Sequence, residues 1–164
     1  MKTSKRPKDA RGIIAWSLEW EQAHVGFANA VRNLPPRLRA RRPKGFAHSV
    51  WDQVEHVRRA TRVLLELCRN ATYEDVLRWP DDYWPAPGAK PTAAQWSAGI
   101  RQVQRDTKAL ARFVANFRGD LAARLPHRTG QTCLRLVLTA MDHTAYHTGQ
   151  IVSLRRALNT WPPP

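Results

Sequence analysis

The sequence is short of cysteine, of acidic residues and of long apolar runs. Its 164 residues include two cysteines, and 13 aspartates and glutamates stand against 27 lysines and arginines. Cys68 and Cys133 are too few and too scattered for a zinc cluster, and both fall in apolar helical runs, which predicts buried free thiols rather than a disulfide. No apolar run is long enough to cross a bilayer. The basic residues 1–11 lack a following apolar segment of signal-peptide type, so we expect a cytoplasmic protein with no membrane partner.

The shortage of acidic residues leaves a formal net charge of +14. Residues 1–11 and residues 37–44 each carry five of the lysines and arginines. Such an excess can attract nucleic acid, acidic metabolites or a membrane surface. No nucleic-acid-binding motif accompanies it, so a solvated basic surface is favoured and a DNA- or polyanion-binding function stays an alternative.

What the sequence does contain is helical periodicity, with apolar residues stepping by three and four along four segments. No segment alternates as a convincing strand. Ser49 and Thr92 are expected to cap two of the helices, and Gln95 completes a capping box with Thr92. The helices are expected over residues 10–33, residues 49–69, residues 92 to about 119, and residues 132–159.

This pattern predicts an all-α fold, a four-helix bundle whose long connections permit a crossover topology. The bundle is expected to be a single domain over residues 10–164, after a disordered basic tail at residues 1–9. The last helix is apolar around more of its circumference than one core needs, which favours a homodimer. Residues 70–90 are rich in proline and aromatics, which is typical either of a fixed lid over a cleft or of a loop packed across the bundle end.

The chemical signal lies in the last helix, where His143 and His147 are four residues apart and share a face. This spacing lets two imidazoles reach one divalent ion. A third ligand would come from the middle of another helix, at the edge of its apolar face. His56 and His24 both meet that condition, and spacing alone does not choose between them. His48, at a helix boundary, and His127, in a loop, fit less well.

The chain resembles the DinB/YfiT family of metalloproteins from the first helix onward. The stretches that carry the resemblance are HTAYHTGQI at residues 143–151, HSVW at 48–51, EHVR at 55–58, YWP at 83–85 and PTAAQW at 91–96. The resemblance implies a bundle that binds one divalent ion through His56, His143 and His147. Members of that family include thiol-dependent S-transferases and a thiol-dependent isomerase.

The resemblance and the histidine pattern together predict a metal-dependent enzyme of thiol S-transferase or hydrolase type that acts on a small molecule. Zinc or nickel is expected ahead of iron or manganese, with a metal-bound water or a thiol cosubstrate as the nucleophile. A metal-binding dimeric scaffold without catalysis is a further alternative. The candidates for orienting a ligand imidazole or contacting the substrate are His24, His48, Glu55, Asp142 and Gln150.

Overall fold

The computed structural model describes residues 9–19, 21, 23–126 and 130–163. Within these residues the chain forms five α-helices and two short 3₁₀ turns, and the one β-type contact is an isolated bridge. The all-α fold is therefore confirmed. The helices are α1 (Ala10–Glu19), α2 (Phe27–Val31), α3 (Val50–Arg69), α4 (Ala93–Asn116) and α5 (Cys133–Ala157). The tail expected at residues 1–9, except its last residue, lies outside the described residues, as does His127.

The three long helices begin where the sequence predicts. The Ser49 hydroxyl accepts from the Asp52 amide at 3.2 Å, and the Asp52 carboxylate accepts from the Ser49 amide at 2.8 Å. Thr92 and Gln95 make the same reciprocal pair at the start of α4. These bonds satisfy amide groups that have no partner within the helix, and they fix where each helix starts.

The helices pack as a bundle around α3, which lies against both α4 and α5, while α1 packs on α4 and α2 packs on α5. Gly99 permits the close approach of α4 to α3, because a Cβ there would come within 3.3 Å of the Glu55 carboxylate and 3.4 Å of Val54. Two long connections, residues 32–49 and 70–92, join these elements. No helix among the described residues is both long enough and apolar enough to cross a membrane.

The prediction of one continuous first helix over residues 10–33 is wrong. The chain forms α1 and α2 instead, with Gly26 in an extended conformation between them. The Glu21 carboxylate accepts from the Gly26 amide at 2.8 Å and from the Asn29 side chain. These bonds replace backbone helix bonds at the break, so the apolar stripe persists across it although the helix does not.

Two large groups of buried side chains form the core at opposite ends of the bundle. One group includes Trp51, Val54 and Ile151, and it adjoins the predicted histidine site. The other includes Leu110, Cys68 and Cys133. Both cysteines are free and buried, as expected. 

Candidate metal centre

Three imidazoles come together between α3 and α5. His56 projects from α3, and His143 and His147 project from successive turns of α5. One ligand nitrogen from each ring lies within 4.8 Å of the others, and the Nε2 atoms of His56 and His143 are 3.0 Å apart. His56 and His147 are buried, at 2% and 6% exposure. The sequence spacing therefore produces a histidine triad that could hold a metal ion.

Two hydrogen bonds fix the orientation of the buried rings. His56 Nδ1 donates to the backbone carbonyl of Tyr83 at 3.2 Å, and His147 Nδ1 donates to the side-chain oxygen of Gln53 at 2.6 Å. Both partners are acceptors, so each ring carries its proton on Nδ1. The lone pair is then left on Nε2, which is the arrangement that metal-binding histidines use.

The loop between α3 and α4 covers the triad with aromatic rings. Trp84 stacks on His56 with ring centroids 3.9 Å apart, and His48 stacks on Trp84 at 3.8 Å. Arg59 holds this part of the loop by donating to the backbone carbonyls of Asp82 and Trp84. The loop therefore lies over the triad and is bound to α3.

The surroundings of the triad keep its rings neutral. Burial, together with the neighbouring His143, lowers the pKa of His56 from its ordinary 6.5 to about 4. Burial likewise lowers the pKa of His147 to about 3 and shifts the pKa of His143 downward. Neutral imidazoles are the form that coordinates metal ions, and at neutral pH few protons compete for their nitrogens.

The donor set fits a divalent ion. Within the described part of the chain, these histidines form the one group of three histidine, cysteine or carboxylate residues placed for a metal. Bonds of about 2.0–2.1 Å to a tetrahedral ion separate two nitrogens by about 3.3 Å. The observed 3.0 Å between His56 and His143 is close to that spacing. Three histidines leave a coordination position free, which is typical of catalytic rather than structural zinc sites.

His143 is half-buried, and two exposed aromatic side chains flank the triad. Trp79 is 70% exposed and packs edge-on against Tyr83, and its ring lies 6.2 Å from that of His56. Tyr146 is 61% exposed and lies edge-on to His147 at 5.0 Å. Large exposed aromatics beside a polar site are suited to contacting a ligand.

The other candidates from the sequence are not part of the triad. His24 is exposed, and its Nδ1 contacts the carbonyl of Val25. The Glu55 carboxylate accepts two bonds from Arg58 at 2.8 Å, and it makes no hydrogen bond or ion pair with a described histidine. Asp142 is exposed on α5 beside His143, and its charge offsets part of the lowering of the His143 pKa by burial.

Gln150 is half-buried one turn beyond His147, and His48 reaches the site through its stack on Trp84. The residues that orient the imidazoles, Gln53 and the Tyr83 carbonyl, were missed by the sequence interpretation. Gln53 carries a signal that could have been used, since it lies one helical turn before His56 on the same face. A backbone carbonyl in a loop carries no such signal.

Comparison with known proteins agrees with this geometry. The family model of the DinB superfamily matches residues 19–151, which include the whole triad and the covering loop. No curated protein and no solved structure matches the chain.

Proposed function

Because the chain belongs to the DinB superfamily and brings three neutral imidazoles to one point, we propose that it is a divalent-metal-dependent enzyme acting on a small molecule. The observation that carries the proposal is that hydrogen bonds hold two buried rings through Nδ1, which leaves their Nε2 lone pairs available to an ion. The proposed ligands are His56, His143 and His147. The reaction class we propose is thiol S-transfer or hydrolysis, with zinc or nickel as the ion ahead of iron or manganese.

In such a site, different residues of the chain hold the imidazole rings, exclude water and contact the substrate. Gln53 and the Tyr83 carbonyl hold the rings of His147 and His56, and the Trp84 stack keeps water from the covered face of His56. The ion, when bound, supplies a Lewis acid that lowers the pKa of a water or thiol. Trp79 and Tyr146 are exposed beside the triad and are placed to contact a substrate.

A thiol nucleophile would have to come from a cosubstrate. Cys68 and Cys133 are buried in the core group that does not contain the site, and they contact each other. The hydrogen bond with Cys133 and burial raise the pKa of Cys68, so this thiol is not activated. The chain thus supplies the metal ligands and the aromatic side chains of Trp79 and Tyr146 beside them. The reacting sulfur belongs to a small molecule.

The test is a turnover screen of the zinc- and nickel-loaded protein. Glutathione, cysteine and N-acetylcysteine are assayed against 1-chloro-2,4-dinitrobenzene for S-transfer, and 4-nitrophenyl acetate is assayed for hydrolysis. We expect turnover that is lost with chelator and in His143→Ala, and kept in His24→Ala, which removes an exposed imidazole outside the triad. Turnover that survives in His143→Ala would contradict the proposal, and metal binding with no turnover in either assay would favour a non-catalytic metal scaffold.

A second candidate function is the binding of a polyanion such as DNA. Arg37, Arg41 and Lys44 are exposed, and none of them makes a salt bridge to a described residue. This candidate predicts affinity for duplex DNA that falls steeply with salt and is reduced when all three are changed to glutamine. Absence of binding at 50 mM salt would remove it.

We also propose that the protein is a homodimer. On the outward side of α5, Leu138 is 48% exposed, while Leu134 and Met141 pack against the core. The unpaired apolar surface is thus smaller than the sequence suggests. Light scattering on the wild type and on Leu138→Glu tests the proposal. A dimer that becomes a monomer in the variant supports it, and a monomeric wild type contradicts it.

A further inference from the structure

A cleft separate from the triad lies where the first helix breaks. It has a volume of about 540 Å³ and is formed by α1, the junction to α2, α4 and α5. Its α5 wall includes Met141, Thr144 and Thr148, and none of the three triad histidines lines it. This volume lies in the range of small-molecule sites.

The inner part of the cleft is apolar but contains one hydroxyl without a partner. The α4 wall of the cleft includes the buried side chains of Val103 and Leu110, which are 2% and 0% exposed. Thr61 of α3 also lines the cleft and is 2% exposed, and its Oγ1 makes no hydrogen bond within the described chain. A buried hydroxyl left unpaired is costly, and a ligand with a matching polar atom would satisfy it.

The charged residues that line the cleft are mostly acidic, whereas the molecule as a whole is basic. Three carboxylates line it, from Glu19, Glu21 and Asp142, against the single ammonium of Lys108. Glu21 is occupied by the Gly26 amide and the Asn29 side chain. Glu19 and Asp142 are exposed and make no salt bridge to a described residue. In a chain of net charge +14, this lining favours a cation and disfavours an anion.

We propose that this cleft is a second binding site, which takes a small organic amine with an apolar body and a polar group at its far end. The ammonium lies toward Glu19 and Asp142, the body contacts Val103 and Leu110, and the far polar group pairs with the Thr61 hydroxyl. This inference goes beyond the proposed enzyme function and does not rest on it.

The test is calorimetric titration of the full chain with three matched probes. Tyramine has the ammonium and a hydroxyl, phenethylamine lacks the hydroxyl, and 3-(4-hydroxyphenyl)propionate replaces the ammonium with a carboxylate. We expect tyramine to bind more tightly than phenethylamine, and the carboxylate not to bind. Equal binding of tyramine and the carboxylate, or no binding of tyramine at millimolar concentration, would overturn the proposal.

Variants locate the binding. The double variant Glu19→Gln/Asp142→Asn is expected to weaken tyramine binding by about tenfold, since exposed charge pairs contribute modestly each. Its matched control, Glu74→Gln/Asp81→Asn, removes the same charge from the loop outside the cleft and should leave binding unchanged. If both double variants lose affinity equally, the effect comes from net charge and the site is wrong.

Thr61→Val tests the inner end of the cleft. Valine keeps the shape of the side chain and removes the hydroxyl, so tyramine should lose its advantage over phenethylamine while phenethylamine binding is kept. Persistence of the full tyramine preference in this variant would contradict the assigned orientation. His56→Ala is expected to bind tyramine as the wild type does, because the triad does not line the cleft.

Discussion

The substitution Gln53→Leu tests the proposed orientation of His147 in the metal site. Gln53 is 4% exposed and its side-chain oxygen accepts the His147 Nδ1 proton at 2.6 Å. Leucine fills a similar volume but accepts no hydrogen bond. The buried Nδ1–H then has no partner, which favours the other tautomer and places the proton on the nitrogen that should face the ion. Loss of such an outer partner costs about 10- to 100-fold in metal affinity, which corresponds to about 1.4–2.8 kcal/mol.

The assay is a zinc titration in competition with a chromophoric chelator at pH 7.5. Gln104→Leu is the matched control, since it makes the same chemical change at an exposed position of α4. Gln53→Glu keeps an acceptor for Nδ1 and should retain more affinity than Gln53→Leu. Melting curves in chelator show that each variant is folded. If Gln53→Leu binds zinc as tightly as Gln104→Leu, the argument that Gln53 orients a ligand is wrong.

Three further predictions concern stability. Because the pKa of His56 is about 4 and that of His147 about 3, against 6.5 when unfolded, the unfolded state binds more protons below pH 6.5. Urea unfolding in chelator should therefore show a loss of about 2 kcal/mol per histidine between pH 6.5 and 5, and a pH-independent stability there would refute the low pKa values. Ser49→Ala should lower the free energy of unfolding by about 1 kcal/mol through loss of the helix cap, whereas an unchanged value would mean that the cap is not formed. Arg155→Met should lower the free energy of unfolding by about 3 kcal/mol. The fully buried Arg155 side chain donates to three backbone carbonyls, which would lose this partner. A stability equal to that of the wild type would show that those contacts are not made.

Local signals in the sequence determined most of the long helices. Capping residues such as Ser49 and Thr92 act within three residues of themselves, so their effect can be predicted without knowledge of the fold. The prediction of one continuous first helix was wrong because the apolar periodicity continues across residues 20–26. In that stretch the Glu21 carboxylate accepts a hydrogen bond from the Gly26 amide. Apolar periodicity indicates which face of the chain is buried, but it does not show that the backbone between the apolar residues is helical.

The triad was predicted only in part from the residues. The spacing of His143 and His147 fixes a pair on one helix face, but the choice between His56 and His24 depends on how separate helices pack. The resemblance to a known family selected His56, and the structure places it 3.0 Å from His143. The Tyr83 carbonyl and the Trp84 stack lie on a loop whose path is set by tertiary contacts, including those from Arg59. No sequence period encodes such a path.

The most direct test of the metal site is the metal content of the purified protein and of four single variants. Elemental analysis after loading with zinc and gel filtration should give one ion per chain for the wild type and for His24→Ala. It should give almost none for His56→Ala, His143→Ala or His147→Ala, because removing any one of three ligands leaves an incomplete site. Full metal content in any of these three variants would contradict the proposal that the three imidazoles hold one ion.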